Sequence, residues 1–514
     1  MDAYDEFLYP NYCYPQTHPD HLCSLGLLFG MQPAPVAACR VLELACGDGA
    51  NLLPVAFNLP RSHFLGIDRA ADPIVRGNKF IAELGLKNIE LKQADILELP
   101  ARLGEFDYII AHGLYSWVPR AVQQRVLEIC RASLRPQGIA YISYNVYPGC
   151  HLREIGRDVM QFHTRDVQNA TERVAQARAI IQWLAEASME TNAYKFLLRD
   201  LSESLKTRDK GAIYHDDLAE INAPVYFYQF VTEAARHGLK FLSEAEYFRN
   251  QANLKPEIAA QLDAMEHDDI VSKEQYLDFI EGRSFRQTVL CQHEVDIDRS
   301  INPEVVANFF IRGAVNKVKE RPDLKSEDVI EEFRGPKQSL LTTSLPLAKA
   351  AMVHLETIYP RSLAFSELLS ESLRLLDNST TRNDLNEPDV RNFAEVMLKA
   401  YGAGVIELHL HQPKISAEPS ERPRASPLAR IQNRYGPILT SMLYITVKFE
   451  DVAARELVSL LDGTRTLDMI AEDFSRIVEK NLPAESDHSK VIEDLLPPLQ
   501  EKLLDLARLG FLIE

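Results

Sequence analysis

Short apolar runs closed by an acid or a glycine alternate with stretches of helical period over the first 150 residues. Residues 41–44, 63–68, 89–94, 106–112 and 139–143 read as buried strands, separated by helical stretches at 52–59, 73–84 and 120–134. Strands that alternate with helices predict a parallel sheet covered on both faces. A helix over 19–30 precedes the first strand, with Thr17 or His18 as its cap and Pro19 in its first turn. Residues 151–212 are helical in period and rich in charge. Ile180, Ile181, Leu184 and Ala187 form an apolar stripe there, suited to packing or to dimerisation. A helix over 227–237, Gly238, a strand over 239–242 and a later strand over 286–291 predict that the sheet is completed after this insertion by an antiparallel edge.

The character changes from about residue 296. Residues 302–319 read as one amphipathic helix, and 345–411 as helices ending in a strand at 404–409. Residues 412–427 hold four prolines and three serines and read as a linker. Residues 428–514 are again helical and close on Gly510 and a short apolar strand. The shared ending predicts a weak repeat of winged-helix type. The expected division is 1–155, 156–212, 213–295, 296–411 and 428–514, an α/β protein with a Rossmann-like core, a helical insertion and mainly α, winged-helix-like C-terminal units.

The turn after the first strand, Glu43-Leu44-Ala45-Cys46-Gly47-Asp48-Gly49-Ala50-Asn51, carries the candidate chemistry. Gly47 and Gly49 let the backbone approach a ligand that a Cβ would exclude. Glu43 argues against a dinucleotide, because a pyrophosphate repels a carboxylate, and for S-adenosylmethionine, whose ammonium and sulfonium suit one. Asp68 closes the second strand 19 residues after Gly49, placed to take ribose hydroxyls. Asp95 and the backbone N–H of Ile96 close the third, suited to adenine. No Gly-x4-Gly-Lys-Ser/Thr run occurs, so a phosphate P-loop is not supported. The expected cofactor contacts are Glu43, Ala45, Cys46, Gly47, Gly49, Asn51, Asp68, Asp95, Ile96 and His112.

Bulk properties narrow the partners. The formal net charge of −18 disfavours general nucleic-acid binding and favours a protein-interaction role for the winged-helix units. The seven scattered cysteines contain no Cys-x-x-Cys and read as reduced thiols in a cytoplasm. Cys291 and His293 lack further ligands at zinc spacing, so no metal is expected. No signal peptide and no run of membrane-span length is read, so no membrane insertion is expected.

Two aromatic loops fall at the ligand-binding end of the predicted sheet: His112-Gly113-Leu114-Tyr115-Ser116-Trp117 and Tyr144-Asn145-Val146-Tyr147-Pro148-Gly149. Ala223-Pro224-Val225-Tyr226-Phe227-Tyr228 is expected near the same mouth. Tyr115, Tyr144, Tyr147 and Tyr226 are the candidate catalytic residues. His112 is read as a hydrogen-bonding group for the cofactor rather than a base. The aromatic N-terminal arm is a candidate lid through Tyr4, Tyr9 or Tyr12, or packing on the core.

These motifs, with Tyr4-Asp5, Thr17-His18-Pro19-Asp20, Gln275-Tyr276-Leu277-Asp278-Phe279 and Phe285-Arg286-Gln287-Thr288, resemble the class I methyltransferases that carry a methyltransferase regulatory domain. The group includes bacterial protein-lysine methyltransferases of outer-membrane proteins. The resemblance implies a Rossmann-like catalytic core, a helical dimerisation insert (hence a homodimer), a middle domain and a C-terminal domain. Ala45 departs from the glycine common in methyltransferases, and is small enough for binding to survive. Three functions stay open: a protein-lysine N-methyltransferase, a methyltransferase of a small molecule or a lipid or sugar precursor, and a cofactor-binding interaction protein without turnover.

Overall fold

The structure is a computed structural model and describes residues 12–187, 192–246, 254–266, 269–376, 386–479 and 488–514. Tyr4 and Tyr9 lie outside these residues.

Seven strands form one sheet in the order β3-β2-β1-β4-β5-β7-β6. They are β1 (Arg40–Leu44), β2 (His63–Asp68), β3 (Ile89–Gln93), β4 (Phe106–Ala111), β5 (Leu134–Asn145), β6 (Leu239–Glu244) and β7 (Phe285–Gln292). The first five are parallel; β7 runs antiparallel to β5 and to β6. The expected antiparallel edge is therefore present, contributed by segments that follow the insertion. All six residues of β4 are buried, as its unbroken apolar run requires.

Side-chain alternation sorts the sheet into two cores. Val41, Tyr108, Ile110, Ile139 and Tyr141 face the helix Pro19–Leu28. Leu42, Leu44, Ile109, Ala140 and Ile142 face the other way. Glu43 alternates with Leu42 and so points to the side of Val41, beneath the chain that enters the helix Pro19–Leu28. His18 caps that helix, its Nδ1 accepting the Asp20 N–H at 2.9 Å.

The insertion consists of helices Gly149–Thr164, Ala170–Ala187 and Ala193–Thr207 around Met160, Val174, Ile181, Leu198 and Leu205. Ile181 lies in this core with Ile180 and Leu184 partly buried against it, whereas Ala187 is exposed. The helix Gly149–Thr164 runs through residue 155.

The expectation of one helix over 302–319 is overturned. Pro303–Asn308 is a 3-10 turn, and Phe310–Arg312 is the centre of a three-stranded sheet between Leu363–Ala364 and Glu407–His409. Gly313 leaves this strand close to Val315 and Ile406, where a Cβ would come within 2.8 Å of Val315. The stretch 412–427 is also no free linker. Ser416 N–H donates to Leu512 O at 3.0 Å, and Ala425 bridges to Leu512, which ties it to the C-terminal unit. That unit holds helices Pro427–Tyr435, Val452–Leu460, Leu467–Glu479 and His488–Arg508 and a hairpin of Ile438–Thr440 with Thr446–Lys448.

The unit over 296–411 is joined to the helix Pro19–Leu28 by a charge cluster. Asp20 accepts the N–H groups of Leu410 (2.7 Å) and His411 (3.0 Å) and contacts His409 Nδ1 at 2.7 Å. His409 Nε2 lies 3.1 Å from Glu407, which pairs with Arg312. Burial and Arg312 oppose the charged ring of His409, but Asp20 and Glu407 outweigh them and raise its pKa above 6.5. A raised histidine pKa gives stability that is full below the unfolded value and is lost as pH rises through the folded one. The melting temperature is therefore expected to fall with rising pH above about 6.5. A scan on wild type and His409→Gln tests this; an equal slope in both would assign the effect elsewhere.

Candidate active site

The site lies at the C-terminal ends of β1, β2, β4 and β5, where a parallel sheet binds its ligands. Its floor is the β1 turn. Gly47 and Gly49 both adopt left-handed φ, +56° and +77°. A Cβ on Gly49 would lie 2.9 Å from Leu91. Ala45 also has a left-handed φ of +61°. An alanine there costs about 1–2 kcal/mol of strain, so the departure from glycine keeps the backbone shape rather than changing it. Asp68 at the end of β2 organises the turn: its Oδ2 accepts Gly47 N–H and its Oδ1 accepts Ala70 N–H, both at 2.8 Å.

Glu43 is 3% exposed. Its Oε1 accepts from Asn51 Nδ2 at 2.8 Å, and its Oε2 is buried with no hydrogen-bond partner. Burial, with Asp68 adding, pushes its pKa up to about 8 against the opposing bond from Asn51. A buried carboxylate oxygen left open beside a glycine cradle fits a ligand that brings a cation. Asn51 is a structural hub: its Oδ1 also accepts Tyr14 N–H at 2.9 Å.

His112 follows β4, with Nδ1 2.9 Å from the Tyr141 hydroxyl and its ring 3.7 Å from that of Tyr14. Burial lowers its pKa to about 4, so it is neutral near pH 7 and a weak base. Asp95 caps its own turn, accepting Leu97 N–H at 2.9 Å. Ile96 is buried in the second core, and Cys46 is buried in the first.

The four candidate tyrosines separate into two pairs. Tyr144 is 1% exposed; its ring stacks on Phe230 at 4.0 Å and its hydroxyl bonds Thr288 at 2.8 Å. Tyr115 packs edge-on against the same Phe230 at 5.1 Å. Both are buried in the second core, against Phe230. Tyr147 and Tyr226 do meet, ring centroids 5.3 Å apart, because Val146 bridges to Val225 beyond the end of β5. His151, not anticipated, stacks on Tyr147 at 4.0 Å, and the Tyr147 hydroxyl donates to Glu154 at 2.8 Å. Burial, then Glu154, pushes the Tyr147 hydroxyl up to about 12, so it stays protonated. Tyr228 and Phe279 extend this aromatic surface at 5.8 and 6.0 Å from Tyr226.

Tyr12 is 39% exposed. Tyr14 takes the place expected of the arm's tyrosines, ring on His112 and backbone on Asn51. Its signal in the sequence was the aromatic density of the arm; which tyrosine it would be had none.

The sheet order, its antiparallel edge and the acids at the ends of β1 and β2 define a class I methyltransferase. Family comparison agrees in three places: "Methyltransferase domain" over residues 41–138, "Predicted methyltransferase regulatory domain" over 209–292 and "PKMT, C-terminal winged helix domain" over 421–505. An uncharacterised protein of Rickettsia prowazekii, RP789, is 31% identical over 100% of this chain and 89% of its own length. The solved structure of PKMT2 from Rickettsia typhi in complex with AdoHcy superposes with a TM-score of 0.85 at 27% identity, covering 98% of this chain and 100% of that one. A second structure of PKMT2 covers 98% of this chain and 99% of that one, with a TM-score of 0.85 at 28% identity. The chain belongs to the family of S-adenosylmethionine-dependent methyltransferases that carry this regulatory domain and this C-terminal winged helix. It is a methyltransferase and uses S-adenosylmethionine. No helix among the described residues is long and apolar enough to cross a membrane.

Proposed function

We infer that the chain is a protein-lysine N-methyltransferase, with a bacterial protein, an outer-membrane protein among the candidates, as substrate. PKMT2, the structural relative along the whole chain, supports the lysine reading. The observation that carries it within this chain is the half-exposed pair Tyr147 and Tyr226, 5.3 Å apart at the end of β5. A surface of rings beside the sheet edge suits the aliphatic stem of a lysine on an extended protein. Seven buried, unpaired cysteines support action in a reducing compartment, the cytoplasm.

S-adenosylmethionine, when bound, supplies an electrophilic methyl on a sulfonium. The chain's own residues hold it, align the amine and exclude water. Glu43 would take the ammonium, Asp68 the ribose, and Asp95 and the Ile96 N–H the adenine. A lysine amine must be neutral to react, which costs about 4 kcal/mol at pH 7.4 from a pKa of about 10.4. Partial burial among Tyr147, Tyr226 and His151 disfavours the ammonium and lowers that cost, against the opposing pull of Glu154, which is bonded to Tyr147. His112, neutral and enclosed by Tyr14 and Tyr141, orients rather than abstracts.

The test is transfer of labelled methyl to envelope proteins and peptides, with wild type and Tyr226→Ala. The variant is expected to lose about tenfold to a hundredfold in kcat from misplacement of the amine. Its affinity for S-adenosylhomocysteine should stay within twofold. Equal kcat in both would remove Tyr226 from the reaction.

The role given to Glu43 has its own signature. Its raised pKa favours the neutral acid in the ligand-free chain, whereas an ammonium at Oε2 favours the carboxylate. S-adenosylhomocysteine affinity is therefore expected to rise with pH, about tenfold per unit below about 8, with a proton released on binding. Calorimetry between about pH 6 and 8, in buffers of different ionisation heat, measures both. A flat profile would place the ammonium elsewhere.

A further inference from the structure

The hairpin of the C-terminal unit reaches the cofactor turn through a strap of chain, Cys13 to His18. Cys13 N–H donates to Thr446 Oγ1 at 3.1 Å. The next residue, Tyr14, donates its N–H to Asn51 Oδ1 at 2.9 Å, and Asn51 Nδ2 donates to Glu43 Oε1 at 2.8 Å. Thr17 Oγ1 closes the strap on Asn51, accepting from Nδ2 at 2.9 Å. An unbroken series of bonds thus runs from residue 446 to the carboxylate at the end of β1.

Tyr444 fixes the other end of the strap. Its ring lies 4.1 Å from that of His18, the cap of the helix Pro19–Leu28, and its hydroxyl accepts from Asn58 Nδ2 at 3.0 Å. Tyr444 is 9% exposed and has a left-handed φ of +60°. A bulky residue keeps that conformation only where its surroundings over-determine it. A separate anchor, away from the strap, joins the unit to the helix Ala71–Leu84: Arg434 pairs with Glu83 at 2.7 Å, and Tyr435 packs on Phe80 at 4.8 Å.

We propose that the C-terminal winged helix is part of the cofactor site, with Thr446 and Tyr444 as positioning residues that hold Asn51, and through it Glu43, in the binding geometry. The wiring is reciprocal: whatever displaces the hairpin lowers cofactor affinity, and cofactor binding rigidifies the hairpin by the same factor. A protein substrate that engages this unit therefore changes cofactor affinity without touching the cofactor.

The proposal rests on cofactor binding at the β1 turn and is tested on the full chain by titrating S-adenosylhomocysteine. Thr446→Val, which removes the acceptor, should weaken binding about threefold to tenfold, the reach of one hydrogen bond. Thr446→Ser, which restores it, should return within twofold of wild type. In turnover the Val variant should raise KM for S-adenosylmethionine and keep kcat. On an Asn51→Ala background the Val substitution should add nothing, since both act through one series of bonds. Tyr435→Ala, which removes the ring contact of the outer anchor and leaves the strap intact, should leave affinity within twofold. Wild-type affinity in Thr446→Val, additivity with Asn51→Ala, or equal weakening in Tyr435→Ala would each overturn the proposal. Failure of the wild type itself to bind would overturn the cofactor assignment instead.

Discussion

Asp68→Ala is expected to weaken S-adenosylhomocysteine binding by at least about a hundredfold. Two hydrogen bonds from a ribose to a carboxylate are worth roughly 1.5–3 kcal/mol each. The loss goes beyond the ribose, because the same carboxylate accepts Gly47 N–H and Ala70 N–H at 2.8 Å each and so shapes the glycine turn. Without it, the Gly47 amide loses its acceptor and the backbone left-handed at 45, 47 and 49 loses a restraint. Calorimetry measures the affinity, and thermal melting of the ligand-free variant checks that the sheet survives. Binding within tenfold of wild type would show that the ribose is held by other groups.

Arg286→Met is expected to cost about 3–5 kcal/mol of stability, the range for stripping a buried charge network of its partner. Arg286 is 1% exposed on β7 and pairs with Glu244 (2.9 Å), Glu274 (3.0 Å) and Asp278 (2.8 Å). Its guanidinium lies 3.9 Å over the ring of Phe227. Burial already pushes Asp278 up to about 6 despite Arg286, so without the arginine its pKa would rise further, with Arg283 at 3.2 Å left to oppose burial. Glu244 also accepts from Thr288 at 2.6 Å, which in turn bonds Tyr144, so the strain reaches the end of β5. The expected fall in melting temperature is roughly 6–20 °C. Arg286→Lys keeps the charge but not the fork that spans three acids, and should fall between the two. A methionine variant that melts with the wild type would show the acids to be neutral already.

The first half of the sheet was legible because its strands announce themselves by an apolar run and an acid or glycine at or near the end, as at Glu43, Asp68 and Gly113. The places of Glu43 and Asp68 at the ends of β1 and β2 were legible for the same reason. The edge strands β6 and β7 were legible from chain order. Tyr144 and Tyr147 were not separable, since they are three residues apart in one aromatic loop and only the tertiary neighbours, Phe230 for one and Tyr226 for the other, decide their fates. Tyr14 was hidden because its partners, Asn51 and His112, are remote in sequence. The segment 302–319 misled because its apolar residues fit a helical period, while Phe310–Arg312 pairs with strands some fifty and ninety-five residues downstream.

Bonds that join the N-terminal strap and helix to the C-terminal third span most of the chain: Cys13 to Thr446 is 433 residues, and Asp20 to His409 is 389. On a ribosome the seven strands are all available once residue 292 has emerged, whereas the strap acquires its far anchor only when the final unit has been made. A nascent or truncated chain is thus expected to fold its sheet yet hold the cofactor loosely. Synthesis order alone would then delay tight cofactor binding until residues 444–446 have been made and docked on the strap.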